Sequence, residues 1–86
     1  MNRAKHGVRF DDAITAFDDP FALVAADLLH STEDEERRWL IGQADDEIVV
    51  VVFTVRESGK VHRVISARRA SRSERRRYAE AKRLSF

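Results

Sequence analysis

At 86 residues, with 43% hydrophobic and 36% charged side chains, the chain has the size and composition of one small folded domain spanning 1–86, not of two cores or a disordered segment. It contains no cysteine, which excludes disulfide frameworks, thiolate catalysis, zinc ribbons and iron–sulfur clusters. Its longest apolar runs, 21–26 and 48–53, fall far short of the ~20 residues that span a bilayer, and no signal-like stretch opens it, so a cytoplasmic protein with no membrane role is expected. The 16 Lys and Arg nearly balance the 15 Asp and Glu, but residues 1–59 hold 6 basic against 13 acidic residues and 60–86 hold 10 basic against only Glu74 and Glu80. A basic C-terminal third can hold a polyanion, while the acidic part can shield it or meet a basic partner.

Phe10, Ala13, Ile14 and Phe17 fall at i, i+3, i+4 and i+7 and predict a two-turn helix with one apolar stripe. Asp11 and Asp12 suit its first turn, and Asp18-Asp19-Pro20 stops it, because proline disfavours helical geometry in the residue before it. Phe21 to Ala26 reads as a short buried strand, followed by a polar loop around His30-Ser31 and a strand over Arg37 to Ile41 that ends at Gly42. Ile48 to Arg56, with five Val and one Ile, is expected at the centre of the sheet. The Gln43 to Asp46 turn precedes it, and a Ser58-Gly59 turn leads to a strand over Val61 to Ala67, giving a β-meander. A two-residue turn there would pair Arg56 with Val61, Thr54 with Arg63 and Val52 with Ile65, placing Thr54, Arg56 and Arg63 on one face. Ser71 and Glu74 form a capping box ahead of a basic helix over 75–83, whose thin apolar side comprises Tyr78, Ala81 and Leu84. The sum is an α+β domain: a short N-terminal helix, a mostly antiparallel sheet of about four strands and a C-terminal basic helix.

No Gly-rich phosphate loop, nucleophile elbow, EF-hand or zinc-binding His pair is present, and His6, His30 and His62 are scattered over separate elements, so neither metal nor cofactor is expected. What stands out is arginine: Arg56, Arg63, Arg68 and Arg69 around the hairpin, and Arg72 to Arg77 at the helix. Its planar, permanently charged fork binds phosphate oxygens in pairs and stabilises charge developing on phosphorus. Surface solubility and pairing with Glu33, Asp34, Glu35 and Glu36 is the plainer role, and it suits Arg72, Arg76 and Arg83. An arginine within or ending a hydrophobic hairpin is costly without a partner, which points Arg56, Arg63 and Arg68 towards function.

Lys5-His6-Gly7-Val8, Phe17-Asp18-Asp19-Pro20, His30-Ser31 with Glu35-Glu36-Arg37, Ile41-Gly42, Val50 to Arg56, Val64 to Ala70 and Glu74 to Tyr78 together resemble the BrnT toxins, in register over nearly the whole chain. The resemblance implies a RelE-like fold and a bacterial type II toxin: an endoribonuclease that inhibits translation and growth and is neutralised by BrnA, a ribbon-helix-helix antitoxin through which alone the complex contacts promoter DNA. It further implies metal-independent attack by the RNA's 2'-hydroxyl on the adjacent phosphate. On that reading Arg56, Arg63 and Arg68 contact the phosphate, Glu36 or His30 transfers a proton, Tyr78 stacks or hydrogen-bonds near the scissile bond, and Arg69, Arg75 and Lys60 bind RNA. The sequence departs from the family in having only Met1 to Ala4 ahead of the Lys-His-Gly-Val motif, so a smaller sheet or a shortened start is expected, and in carrying Arg9 where a capping Ser or Thr is common. The competing expectation is a non-catalytic nucleic-acid-binding or protein-interaction module using the same basic surface.

Overall fold

A computed structural model describes residues 8–33, 35–56 and 59–84. The Lys5-His6-Gly7 part of the first motif, Asp34, Ser58 and the side chain of His62 lie outside the described residues. Helix α1 (Phe10–Ala13) runs into a 3₁₀ segment (Ile14–Asp18); four strands follow, β1 (Leu23–Ala26), β2 (Glu36–Ala44), β3 (Glu47–Val55) and β4 (Val61–Arg69), and helix α2 (Arg72–Leu84) ends the order. The strands form one antiparallel sheet in the order β1-β2-β3-β4, the expected meander, with the β-branched strand β3 in its interior.

Each sheet face has its own apolar cluster, and parity along β3 sorts its residues between them. Val49, Val51, Phe53 and Val55 point to the face covered by α1 and the 3₁₀ segment, where they pack with Leu40, Ala67, Ala13 and Ala16. Phe17 meets Phe53 edge-on there, with ring centroids 5.0 Å apart. Gly42 permits the close approach on this face: a Cβ at that position would stand 3.1 Å from the Ala16 carbonyl oxygen and 3.2 Å from the Ala22 Cβ. Ile48 and Val50 point to the other face, where Ile41, Trp39, Leu23 and Phe21 complete the packing under Ala70 and Tyr78.

The N-terminal stripe is rotated from the expected one. The helix tightens to 3₁₀ after Ala13, so Ala13 and Ala16 are buried while Phe10 and Ile14 stay exposed. Arg9 is the N-cap of α1 and makes no capping bond through its side chain. Strand β1 is an edge strand with alternating burial, shorter than the continuous buried run the sequence suggested.

The β2–β3 turn places Asp45 at φ +56°, a left-handed geometry that aspartate tolerates. The β3–β4 hairpin is looser than a two-residue turn: Arg56 N–H donates to the Lys60 carbonyl at 3.4 Å, and Gly59 takes φ +75°. Thr54 pairs with Arg63 as expected, but Val55 rather than Arg56 faces Val61, and Val52 faces Ser66 rather than Ile65, because the register shifts at Thr54/Val55 and again at Val52/Phe53. Helix α2 carries the predicted capping box in both directions, Glu74 N–H to Ser71 Oγ at 3.2 Å and Ser71 N–H to Glu74 Oε1 at 2.7 Å. Its docking strip is narrower than predicted, for Tyr78 is buried but Leu84 is 78% exposed. No described helix is long and apolar enough to cross a membrane.

Candidate active site

Helix α2 covers only one end of its sheet face. Beyond Trp39 that face continues through Arg37 on β2, Val52 and Thr54 on β3, and Arg63 and Ser66 on β4, with Arg37 directly opposite Thr54 and Thr54 directly opposite Arg63. Val52 is half-buried, while Arg63 and Ser66 are exposed. Three adjacent strands thus set Arg37, Thr54 and Arg63 in one row across the sheet.

The middle of that row is unsatisfied. Thr54 is 3% exposed, and neither its Oγ1 nor Arg37 Nε, both buried, has a hydrogen-bond partner. A buried polar atom left unpaired costs roughly 1–3 kcal/mol, and more when charged. An acceptor brought against this opposed pair would satisfy Arg37 Nε–H, which can only donate.

The backbone around Arg37 is fastened firmly. Ser31 Oγ accepts from Arg37 N–H at 2.9 Å, and the Arg37 carbonyl accepts from Asp27 N–H at 2.7 Å, so the loop after β1 is tied to the start of β2. At the same end, Glu35 sits between the hairpin arginines, 3.5 Å from Arg63 and 4.0 Å from Arg56 Nε. On the α2 side, the Arg77 guanidinium lies over the Trp39 ring, 5.9 Å from its centroid. An aromatic plane therefore stands next to the basic row.

The sequence-predicted residues divide by place. Arg63 and Arg56 converge on the row through Glu35. Arg68 shares the face but is committed to α2, its two terminal nitrogens donating to Glu74 Oε1 and Oε2 at 2.7 and 2.8 Å. That bond, against the opposing effect of burial, holds the Glu74 carboxyl down at about 2 and raises Arg68 above its usual value. Tyr78 lies under α2 in the apolar cluster and donates to Asp19 Oδ2; burial, then the Asp19 carboxylate, pushes its phenol up to about 12.

Glu36 points to the opposite face with Arg38, to which it is ion-paired, and both line a groove of about 330 Å³ that Glu35 and Arg56 line as well. Arg69 also faces that way and pairs with Glu47 at 3.0 Å. His30 bonds Asp27 Oδ2 at 2.8 Å on the loop after β1. Arg75 donates to the Ala70 carbonyl at 3.0 Å, and Lys60 accepts the closing bond of the hairpin through its backbone. Arg37, Trp39 and Arg77 were not singled out as site residues; inside the polar run Glu35 to Arg38, only the period-two alternation anchored on Leu40 and Ile41 could have shown which arginine shares a face with Thr54.

Among the described residues, no three His, Asp or Glu side chains gather as a metal-holding group. No curated protein sequence matches the chain. The family model of the ribonuclease toxin BrnT, of type II toxin-antitoxin systems, matches residues 1–74. With that match over most of its length, the chain belongs to the BrnT family of ribonuclease toxins.

Proposed function

We propose that this toxin cleaves single-stranded RNA without a metal ion, by attack of a ribose 2'-hydroxyl on the neighbouring phosphate, and that a BrnA-like ribbon-helix-helix antitoxin neutralises it by covering the same face. The observation that carries the reading is the unpaired Arg37 Nε and Thr54 Oγ1 beside Arg63. A phosphate passing to a pentavalent state gathers negative charge on its non-bridging oxygens. Donors already fixed and partly dry stabilise that charge without reorganising, and loss of one such donor typically costs a factor of 10² to 10³ in rate.

Arg37 and Arg63 supply the guanidinium contacts from either side of Thr54, and Trp39 with Arg77 offers a flat surface on which a flanking base stacks. Arg68 and Tyr78 act at one remove, holding α2 and so Arg77 against the sheet. Acidic side chains of the antitoxin would meet the row that RNA otherwise occupies.

The test is cleavage of an end-labelled single-stranded RNA by the purified chain in EDTA. The expected result is unimpaired cutting that leaves 2',3'-cyclic phosphate or 3'-phosphate ends. Cutting only with added divalent metal overturns the mechanism, and salt-dependent binding with no cutting replaces it with a non-catalytic RNA-binding role.

A further inference from the structure

Glu35 lines the groove it shares with Glu36, Arg38 and Arg56, and its carboxylate also reaches Arg63, the outer arginine of the row. Thr32 and Glu35 close a short turn: the Glu35 carbonyl accepts Thr32 N–H at 2.9 Å, and Thr32 Oγ1 accepts Glu35 N–H at 3.2 Å. The side chain that follows this turn is only 24% exposed. Its two oxygens face different arginines, Oε1 at 3.5 Å from Arg63 and Oε2 at 4.0 Å from Arg56 Nε. Among the described residues, Glu74 is locked to Arg68 and Ser71, Asp19 takes the Tyr78 phenol, Asp27 bonds His30, and Glu36 and Glu47 pair with Arg38 and Arg69.

We infer that Glu35 is the proton acceptor of the cleavage reaction; the inference rests on the ribonuclease reading above. The 2'-oxygen attacks from about 3–3.5 Å, so the group that takes its proton must stand beside whatever holds the phosphate. Arg63 joins the two, opposite Thr54 on one side and paired with Glu35 on the other.

In the step, the O2'–H bond breaks and its proton passes to Glu35, while the O2' electron pair forms the new O2'–P bond. The P–O5' bond breaks, and O5' leaves with a proton from water. Glu35 then returns its proton to the hydroxide so formed, so the products are a 2',3'-cyclic phosphate and a 5'-hydroxyl with no net proton gained or lost. A carboxylate serving only to neutralise two arginines would leave cleavage tied to binding, whereas a proton acceptor separates the two.

The experiment compares parent, Glu35→Gln, Glu35→Asp and, as a control in the same acidic loop, Glu33→Gln. Single-turnover cleavage is measured against pH, together with binding of an oligonucleotide blocked by a 2'-deoxy nucleotide at the cut site. Glu35→Gln is expected to slow cleavage at least 100-fold with binding unchanged or tighter, and to lose the acid limb of the rate profile; Glu35→Asp recovers part of the rate and Glu33→Gln all of it. If Glu35→Gln fails to fold, Glu35→Asp carries the test, with slowed cleavage at unchanged binding as the supporting result. Cleavage within threefold of the parent, or a loss of cleavage matched by an equal loss of binding, overturns the assignment of Glu35 alone. A parent that binds but never cuts overturns the ribonuclease reading together with it.

Discussion

The Tyr78 phenol donates to Asp19 Oδ2 at 2.5 Å, joining the middle of α2 to the end of the 3₁₀ segment across 59 positions of sequence. The same carboxylate accepts Gln43 N–H at 2.8 Å and, through Oδ1, Phe21 N–H at 2.9 Å. Asp19 therefore binds together α2, β2 and the lead into β1, and it does so from the Asp-Asp-Pro stop that ends the first helix. Tyr78→Phe keeps the ring in its apolar cluster and removes one bond to a charged acceptor, so a loss of about 1.5–3 kcal/mol is expected. Urea unfolding checks it.

Stability should fall at both ends of the pH scale. Glu74 has a folded value of about 2 against an ordinary 4.5, chiefly through Arg68, and Asp19 is also lowered, its hydrogen bonds outweighing burial. Carboxylates depressed by folding contribute stability that is complete above their unfolded values and is lost as pH falls from about 4.5 towards 2. Tyr78 is raised from 10 to about 12, so the unfolded chain releases that proton first and stability falls as pH climbs through this window. Thermal melts from pH 2 to 11 should show both limbs, and Glu74→Gln should flatten the acid one.

Thr54→Val tests whether the unpaired hydroxyl is kept for function. Valine matches its shape and suits a strand, and the change removes a buried group with no partner, so the variant should be more stable by about 1 kcal/mol. RNA cleavage should fall by 10²-fold or more. A more stable and fully active variant would remove Thr54 from the site.

Arg68→Ala should fail by a different route from Arg37→Ala. The Arg68–Glu74 pair is bidentate and partly buried, and its loss strands a carboxylate that also caps α2. An early melting transition is expected, with lost activity following from a detached helix. Arg37→Ala should instead lose cleavage while melting no earlier than the parent. Circular dichroism melts beside cleavage assays separate the two.

Trp39→Leu retains apolar bulk against Ile41 and Tyr78 but removes the aromatic plane. Affinity for a non-cleavable RNA should drop about 5- to 150-fold, the range of one base stacked on an aromatic ring, and Arg77→Ala should weaken it less. Fluorescence anisotropy at fixed salt measures both.

Much of the fold was legible because its signals are local. Five valines in nine positions announce β3, Asp19-Pro20 ends the first helical stretch, and Ser71 with Glu74 opens α2, each by chemistry within a few residues. What could not be read depends on counting by one. The hairpin shifts register twice between Val52 and Val55, which no residue type announces, so the partners of Val52 and Arg56 were misplaced while Thr54 still met Arg63. Glu35 and Glu36 are chemically alike and adjacent, yet Glu35 pairs with Arg63 and Glu36 with Arg38, a division no residue type announces. Arg68, by contrast, looks like any phosphate-binding arginine until its bidentate bond to Glu74 is seen.

The division of the sheet into a packed face and a half-open one has a consequence for how this chain tolerates mutation. Along β3, the odd positions 49, 51, 53 and 55 bear on the buried cluster, while 52 and 54 bear on the open row. A scan of substitutions close in size to the native residue over 51 to 55, scored once for soluble yield and once for growth arrest, should show yield falling at 51, 53 and 55 and arrest alone disappearing at 54. Selection for harmless variants would then enrich two unrelated kinds of escape, misfolded proteins and well-folded inactive ones, at neighbouring residues of a single strand.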